Sequence, residues 1–311
     1  MDVNESAPVL LIHGGAGVIR KDTEAAEQAI RAALAQALRA GFEKLRADRS
    51  ALEAVSAAVV ELEDAPHFNA GRGAVFTHEG ENELDAAIMD GATLCAGAIA
   101  GVHRVRNPVL LARAVMERSP HVMLSGAGAE NFAEQQGIAL VEPEYFRIEK
   151  RWKQLQDALA KEASGKDSTD YFGTVGAVAR DAHGHLAAAT STGGMTNKRW
   201  NRIGDSPVIG AGTYANADCA VSGTGWGEFY IRTCAAHSIC MRVAMGESLQ
   251  QAAEAVINRE IPRLGGNGGA IVLGRDGSFA LPFNTQGMYR GWIGADGVPH
   301  VAIWKGESNL R

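Results

Sequence analysis

Hydrophobic and polar residues alternate along this chain with two different periods. VLLIHGG is an apolar run closed by glycines and predicts a buried first strand. From Thr23 to Leu45, TEAAEQAIRAALAQALRAGFEKL has the periodicity and composition of a helix. A second helix is predicted from SALEAVSAAVVELEDAP, where Ser50 and Glu53 have capping-box spacing and Pro66 marks the stop. FNAGRGAVFTHEGENELDAAIMDGATLCAGAIAG alternates glycine turns with short apolar runs, as sheet and loop do. NPVLLARAVMERSP predicts a helix, and HVMLSGAGAENFAEQQG a strand, a turn and a helix. A charged helical arm is expected over Glu149 to Ala163. It runs into SGKDSTDYFG, which has no hydrophobic period, so about 150–173 reads as a mobile linker.

The second half changes character. TVGAVARDAHGHLAAATSTGG predicts a β-hairpin around His183-Gly184, and GAIVLGRDGSFALPFNTQGM another around Asp276-Gly277. Residues 176–195 and 269–288 echo one another without a gap, which suggests repeated hairpins in a layered sheet. Between them lie a glycine-rich strand, AVSGTGWGE, and helical stretches over about Glu228–Ala244 and Ser248–Arg263, the latter with Ser248 and Gln251 at capping-box spacing. Strands at the ends and helices grouped between them argue for an α+β fold, with layered sheets and helices outside.

The 311 residues suffice for one large domain with a sizeable core. A net charge of −6 without a basic patch excludes nucleic acid as a partner. The apolar run Pro8 to His13 is too short for a membrane span or signal peptide, so a cytoplasmic protein is expected. Cys95, Cys219, Cys234 and Cys240 form no CxxC pair and read as buried, reduced thiols.

The common catalytic signatures fail. There is no HExxH, no Cys/His metal spacing, no P-loop, no GxGxxG and no GxSxG. His13, in IHGGAG, reads as a residue packed beside a glycine turn. What remains is Thr, Gly, Asn and Asp concentrated in FNAGRG, GTVGA, TSTGGMTN, RIGDSP and SGTGWGE. A hydrolase could be built from these if its nucleophile were a threonine. A Thr hydroxyl needs a base. Its own α-amine, with a reference pKa near 7.7–8.0, could serve once the preceding peptide bond is cut. In SGKDSTDYFG-TVGAV a glycine leaves the approach to that bond open. Taken alone, a Gly-Thr junction reads as the ordinary start of a strand, with Thr174 a β-branched strand residue.

The chain resembles the plant-type L-asparaginases, or isoaspartyl (β-aspartyl) peptidases, of the N-terminal-nucleophile hydrolases. LIHGGAG, FNAGRGAVFT, ELDAAIMDG, RNPVLLARAVME, SPHVMLSGAGAENFA, GTVGAVA, AATSTGGMTNK, RIGDSP, TGWGE and LPFNTQGMYR carry the resemblance in order over nearly the whole chain. It implies a four-layer αββα sandwich, made as a precursor that cuts itself between Gly173 and Thr174 into chains of 1–173 and 174–311, which pair as (αβ)₂. It implies Thr174 as nucleophile, with Thr192 beside it and Thr224 and the Gly225 N–H as oxyanion donors. Arg202 and Asp205 would bind the substrate's α-carboxylate and α-ammonium, with Ile203, Gly204, Trp226 and Gly227 around them. Asn69 would orient the scissile bond. The loop LEDAPHFNAGR resembles a structural sodium site built from carbonyls of Leu62, Glu63, Ala65, Phe68, Ala70 and Arg72. No organic cofactor is implied. The implied substrates are L-asparagine and β-aspartyl dipeptides. The alternatives are an aspartylglucosaminidase-like amidase, a taspase-like protease, or a non-catalytic protein that binds aspartate or asparagine. Asn201, Trp226 and Arg72 depart from the family pattern, the first two near the expected substrate mouth.

Overall fold

Short runs of apolar and small residues form two sheets that lie face to face. The structure, a computed structural model, describes residues 7–17, 23–165 and 173–307. Its strands are β1 (Val9–Gly17), β2 (Leu84–Asp90), β3 (Ala96–Val102), β4 (Met123–Ser125), β5 (Val175–Arg180), β6 (Leu186–Thr192), β7 (Thr213–Ala215), β8 (Cys219–Gly225), β9 (Gly268–Gly274), β10 (Phe279–Ala280), β11 (Gly287–Ile293) and β12 (His300–Trp304). One sheet runs β12-β11-β1-β5-β6-β2-β3-β4 and the other β10-β9-β8-β7. The central strands β5 and β6 are buried along their whole length, so they carry no polar-out face.

Side chains alternate across each strand, and that alternation sorts the core into three layers. Leu10, Ile12, Val175, Ala177, Ala187 and Ala189 pack under the helices α1 (Glu24–Arg46), α2 (Ala51–Asp64) and α3 (Pro108–Arg118). Leu11, Val178 and Ala188 point the other way and meet Ala220, Ile271 and Leu273 of the second sheet. Val221, Ala270 and Val272 pack outward beneath further helices. The order helix, sheet, sheet, helix is the expected four-layer sandwich.

Local signals fixed several helix ends. Thr23 caps α1, and Ser50 and Glu53 complete the reciprocal box at the start of α2. After α4 (Gly126–Gln135), α5 (Glu149–Ala163) is a packed helix rather than a mobile arm. Its buried Arg151 donates to the Gly73 carbonyl at 2.7 Å and the His67 carbonyl at 3.3 Å. The remainder of the expected linker, 166–172, lies outside the described residues.

The helix expected from Glu228 to Ala244 is two helices, α6 (Gly227–Thr233) and α7 (Ala235–Ala244), broken at Cys234 with φ of 46°. The break turns the first amides of α7 onto a loop: Ala236 N–H donates to Ala211 O and His237 N–H to Gly210 O. Helix α8 (Leu249–Glu254) continues through a π-helical turn, Ala255–Glu260, into Ile261–Arg263. The two echoing hairpins fall in different sheets, β5–β6 in the larger and β9–β10 in the smaller. All four cysteines are free, but Cys95 and Cys234 are exposed, against expectation, because both sit at turns rather than on a core face. No helix among the described residues is long and apolar enough to cross a membrane.

Candidate active site

The same alternation that builds the core collects hydroxyls between the sheets. On β6, Ala187 and Ala189 face the helices, so Thr190 and Thr192 face the second sheet. On β8, Val221 faces outward, which turns Ser222 and Thr224 inward. Thr174 stands just ahead of β5 and is 7% exposed. Its hydroxyl donates to Thr192 Oγ1 at 3.2 Å, and its backbone N–H donates to Thr224 Oγ1 at 3.3 Å. Thr224 Oγ1 also accepts from Ala16 N–H at 3.2 Å, and Thr192 Oγ1 from Gly194 N–H at 3.0 Å. Each hydroxyl therefore has a fixed direction. Tyr230 ties the end of β8 to β9, its hydroxyl lying 3.0 Å from the Gly269 carbonyl and 3.2 Å from that of Thr224.

The glycine turn of β1 lies against the bond before Thr174. Gly15 adopts φ of +111°, and a Cβ there would sit 2.5 Å from the Gly173 Cα. Only glycine allows that backbone conformation and that approach together. Asn69 is tied to the turn after β6: its Nδ2 donates to Gly194 O at 2.7 Å and its Oδ1 accepts from Val75 N–H at 2.9 Å.

A cleft opens over Thr174 and Thr192. Among its walls are Gly173, Gly225, Arg202, Gly204 and Asp205, all expected, and Met195, which was not. Burial pulls the Arg202 guanidinium down, yet Glu228 outweighs this and holds it above its ordinary value. Glu228 accepts from Arg202 Nε at 2.9 Å and Nη2 at 2.8 Å, a bidentate pair. Gly204, whose missing Cβ would lie 2.7 Å from Nη1, leaves that edge clear for a substrate carboxylate. Burial raises Asp205 to about 7, with Arg202 opposing. Asp205 Oδ2 is buried and has no hydrogen-bond partner, so the site holds an acceptor that lacks its donor.

Gly227 abuts both Arg202 and Asp205; a Cβ there would lie 2.7 Å from Arg202 Nη2 and 2.8 Å from Asp205 Oδ1. Ile203 is 41% exposed and is not among the walls of the cleft. Trp226 stands at the N-cap of α6 with its ring edge-on to Phe229. Sequence reasoning missed Glu228: TGWGE places it just after Thr224 and Gly225, but nothing there shows that it pairs with Arg202.

The loop after α2 presents carbonyls rather than carboxylates. Those of Leu62, Glu63 and Ala65 come from the helix C-terminus, where partial negative charge collects. Gly71 and Gly73 pack directly onto the Glu63 and Phe68 carbonyls, with no room for a Cβ at either. Ala70 O accepts from Gly73 N–H and retains a second lone pair. Arg72 holds its guanidinium over the Tyr145 ring, 5.7 Å from the centroid. This all-oxygen set fits a hard monovalent cation.

A family profile described as asparaginase matches residues 6–303. The chain is 52% identical over 308 residues to the isoaspartyl peptidase of Salmonella typhimurium, covering 96% of this chain and 98% of that one. It is 51% identical to the isoaspartyl peptidase of Escherichia coli, covering 96% of each. Against the human isoaspartyl peptidase/L-asparaginase it is 40% identical, covering 95% of this chain and 96% of that one.

Proposed function

The chain belongs to the asparaginase family, and from that premise we propose that it cuts itself before Thr174 and then hydrolyses β-aspartyl dipeptides and the side-chain amide of L-asparagine. It is a hydrolase. The observation that carries the finer reading is the bonding of Thr174 to both Thr192 and Thr224, with Thr174 and Thr192 lining one cleft with Arg202 and Asp205.

In the cutting step, the Thr174 hydroxyl attacks the Gly173 carbonyl. The C–N bond breaks as the C–O bond forms, leaving an ester and a free Thr174 amine. Water hydrolyses the ester and releases the Gly173 carboxylate. In the catalytic step, that amine takes the hydroxyl proton. The hydroxyl oxygen attacks the substrate's β-carbonyl, and charge builds on the carbonyl oxygen. Thr224 and the Gly225 N–H stabilise it. The collapsing intermediate expels ammonia or an amino acid, which takes the proton. Water then attacks the acyl-enzyme and frees aspartate.

Arg202 Nη1 grips the substrate's α-carboxylate, and the unpartnered Asp205 Oδ2 accepts from its α-ammonium. Both partners suit an α-amino acid end, which asparagine and β-aspartyl peptides share. A sodium ion held by the carbonyls of Leu62, Glu63, Ala65, Phe68, Ala70 and Arg72 would brace Asn69 and take no part in the chemistry. Two cut chains pair as (αβ)₂, which sedimentation tests. The four free cysteines suit the reducing cytoplasm.

The test is a substrate panel on purified wild type and Thr174→Ala. Wild type releases aspartate from asparagine and from β-aspartyl dipeptides, and Thr174→Ala releases none. Turnover by Thr174→Ala overturns the assignment of the nucleophile.

A further inference from the structure

His13 lies at the heart of the inter-sheet layer. It is fully buried, and burial pushes it down to about 3, so the imidazole is neutral. Nδ1 is 2.9 Å from the Thr174 carbonyl and Nε2 is 2.9 Å from Ser222 Oγ. A carbonyl only accepts, so Nδ1 carries the proton and Nε2 accepts from the Ser222 hydroxyl. The chain of hydroxyls continues: with Ser222 donating to His13, its Oγ accepts from Thr190 Oγ1 at 2.7 Å, and Thr190 accepts from Thr213 Oγ1 at 2.6 Å, which lies 3.0 Å from the Ser206 carbonyl. Asp205, the neighbour of Ser206 in the chain, is one wall of the cleft.

The reason a side chain is needed here lies in the ladder. The β1–β5 pairing ends at His13 opposite Gly176, two residues short of Thr174. The β1–β11 register slips between His13 and Gly15, a bulge that bends β1 away. The Thr174 carbonyl lies beyond the backbone partners of that ladder, and the imidazole takes their place. Gly176 makes the space. A Cβ there would lie 2.5 Å from His13 Nε2 and would run into Ser222 Oγ.

We propose that His13 is a positioning residue for the nucleophile: its Nδ1–H, oriented by the Ser222–Thr190–Thr213 hydroxyls, holds the Thr174 carbonyl and so aims the Thr174 hydroxyl and amine. This rests on the reading of Thr174 as nucleophile. Once the chain is cut, Thr174 has no residue before it, and its carbonyl is the fixed point from which its hydroxyl and amine are set. A displacement of about 1 Å at a reacting group costs on the order of 100-fold in rate.

The test compares wild type with His13→Leu, His13→Asn and Thr174→Ala, using L-asparagine as probe, with thermal unfolding to confirm each fold. Asparagine places an amide nitrogen where Nδ1 stands, so it restores the bond to Thr174 without restoring the ring. His13→Leu should lose about 100-fold in kcat per cut chain, and in self-cleavage rate, with KM within about threefold. His13→Asn should recover both to within about tenfold of wild type. Full activity in His13→Leu, or equal impairment of the Leu and Asn variants, overturns the proposal and leaves mere packing. Activity retained by Thr174→Ala sinks the parent reading instead. If the Leu variant does not fold, the ¹⁵N shifts of His13 in the wild type decide. Nδ1 protonated and Nε2 bare supports the proposal, and the opposite tautomer refutes it.

Discussion

Asp205 carries a conflict between binding and stability. Its carboxyl is buried and held up to about 7, while an aspartate in an unfolded chain titrates near 3.9. The folded state therefore holds this proton more tightly. Its contribution to stability is complete below about pH 4 and is lost as pH rises through about 7. Asp205→Asn should accordingly stabilise the fold by on the order of 4 kcal/mol at pH 8 and by almost nothing at pH 4. It should also cost kcat/KM at least 100-fold, on the order of the loss when a buried partner of a charged group is removed. Unfolding curves at the two pH values check the first claim, and a pH-independent gain would contradict it. In the wild type, kcat/KM should fall as pH drops through about 7, because a protonated Asp205 no longer attracts an ammonium group. Trp226 is the other residue with a specific expectation. Replacing it with Thr should change the ratio of kcat/KM for asparagine to that for a β-aspartyl dipeptide, and an unchanged ratio would remove it from specificity. The Asn201 departure has a backbone reason: Asn201 has φ of 52° and Trp200 φ of 56°, so the turn demands a left-handed residue, which asparagine tolerates.

At the scale of elements, the glycine turn of β1 and the start of β5 act as one unit. A Cβ at residue 15 cannot coexist with Gly173 where it lies. Gly15→Ala should push the Gly173–Thr174 peptide off the Thr224 hydroxyl and slow self-cleavage at least tenfold, on the order of the loss for a misplaced reacting group. Cleavage of Gly15→Ala at the wild-type rate, followed on denaturing gels, would count against this coupling. Elements with local signals were legible in the sequence. The capping box at Ser50 and the turn glycines Gly184 and Gly277 depend only on near neighbours. The break at Cys234 was not legible, since it serves amides that bond to a loop more than twenty residues earlier. His13 was read as packing for the same reason. Its partners, Thr174 and Ser222, are 161 and 209 residues away in sequence.

For the whole molecule, the four-layer sandwich does what no single motif could: it brings the start of β5 and the ends of β6 and β8 together, so that Thr174, Thr192 and Gly225 line one cleft with Arg202 and Asp205, while the Gly15 turn of β1 packs against Gly173. That Thr174, Thr192, Arg202 and Asp205 gather around one cleft was legible through the resemblance. The bidentate grip of Glu228 on Arg202 required coordinates, because nothing in the spacing of residues 202 and 228 announces it. The carbonyl loop after α2 makes a separate prediction. Exchanging sodium for choline should lower the melting temperature by mass action while leaving the cut chains cut, and an unchanged melting temperature would leave that loop without an ion. The central claim is that Thr174 becomes a chain terminus and works as one. Intact-mass spectrometry of the purified protein over time tests it most directly. The account predicts that the 311-residue chain is replaced by two fragments of about 18 and about 15 kDa, the smaller beginning at Thr174. It predicts that amide hydrolysis rises in step with them and that Thr174→Ala stays whole. A chain that remains intact while it hydrolyses asparagine, or a Thr174→Ala chain that still divides, would contradict it.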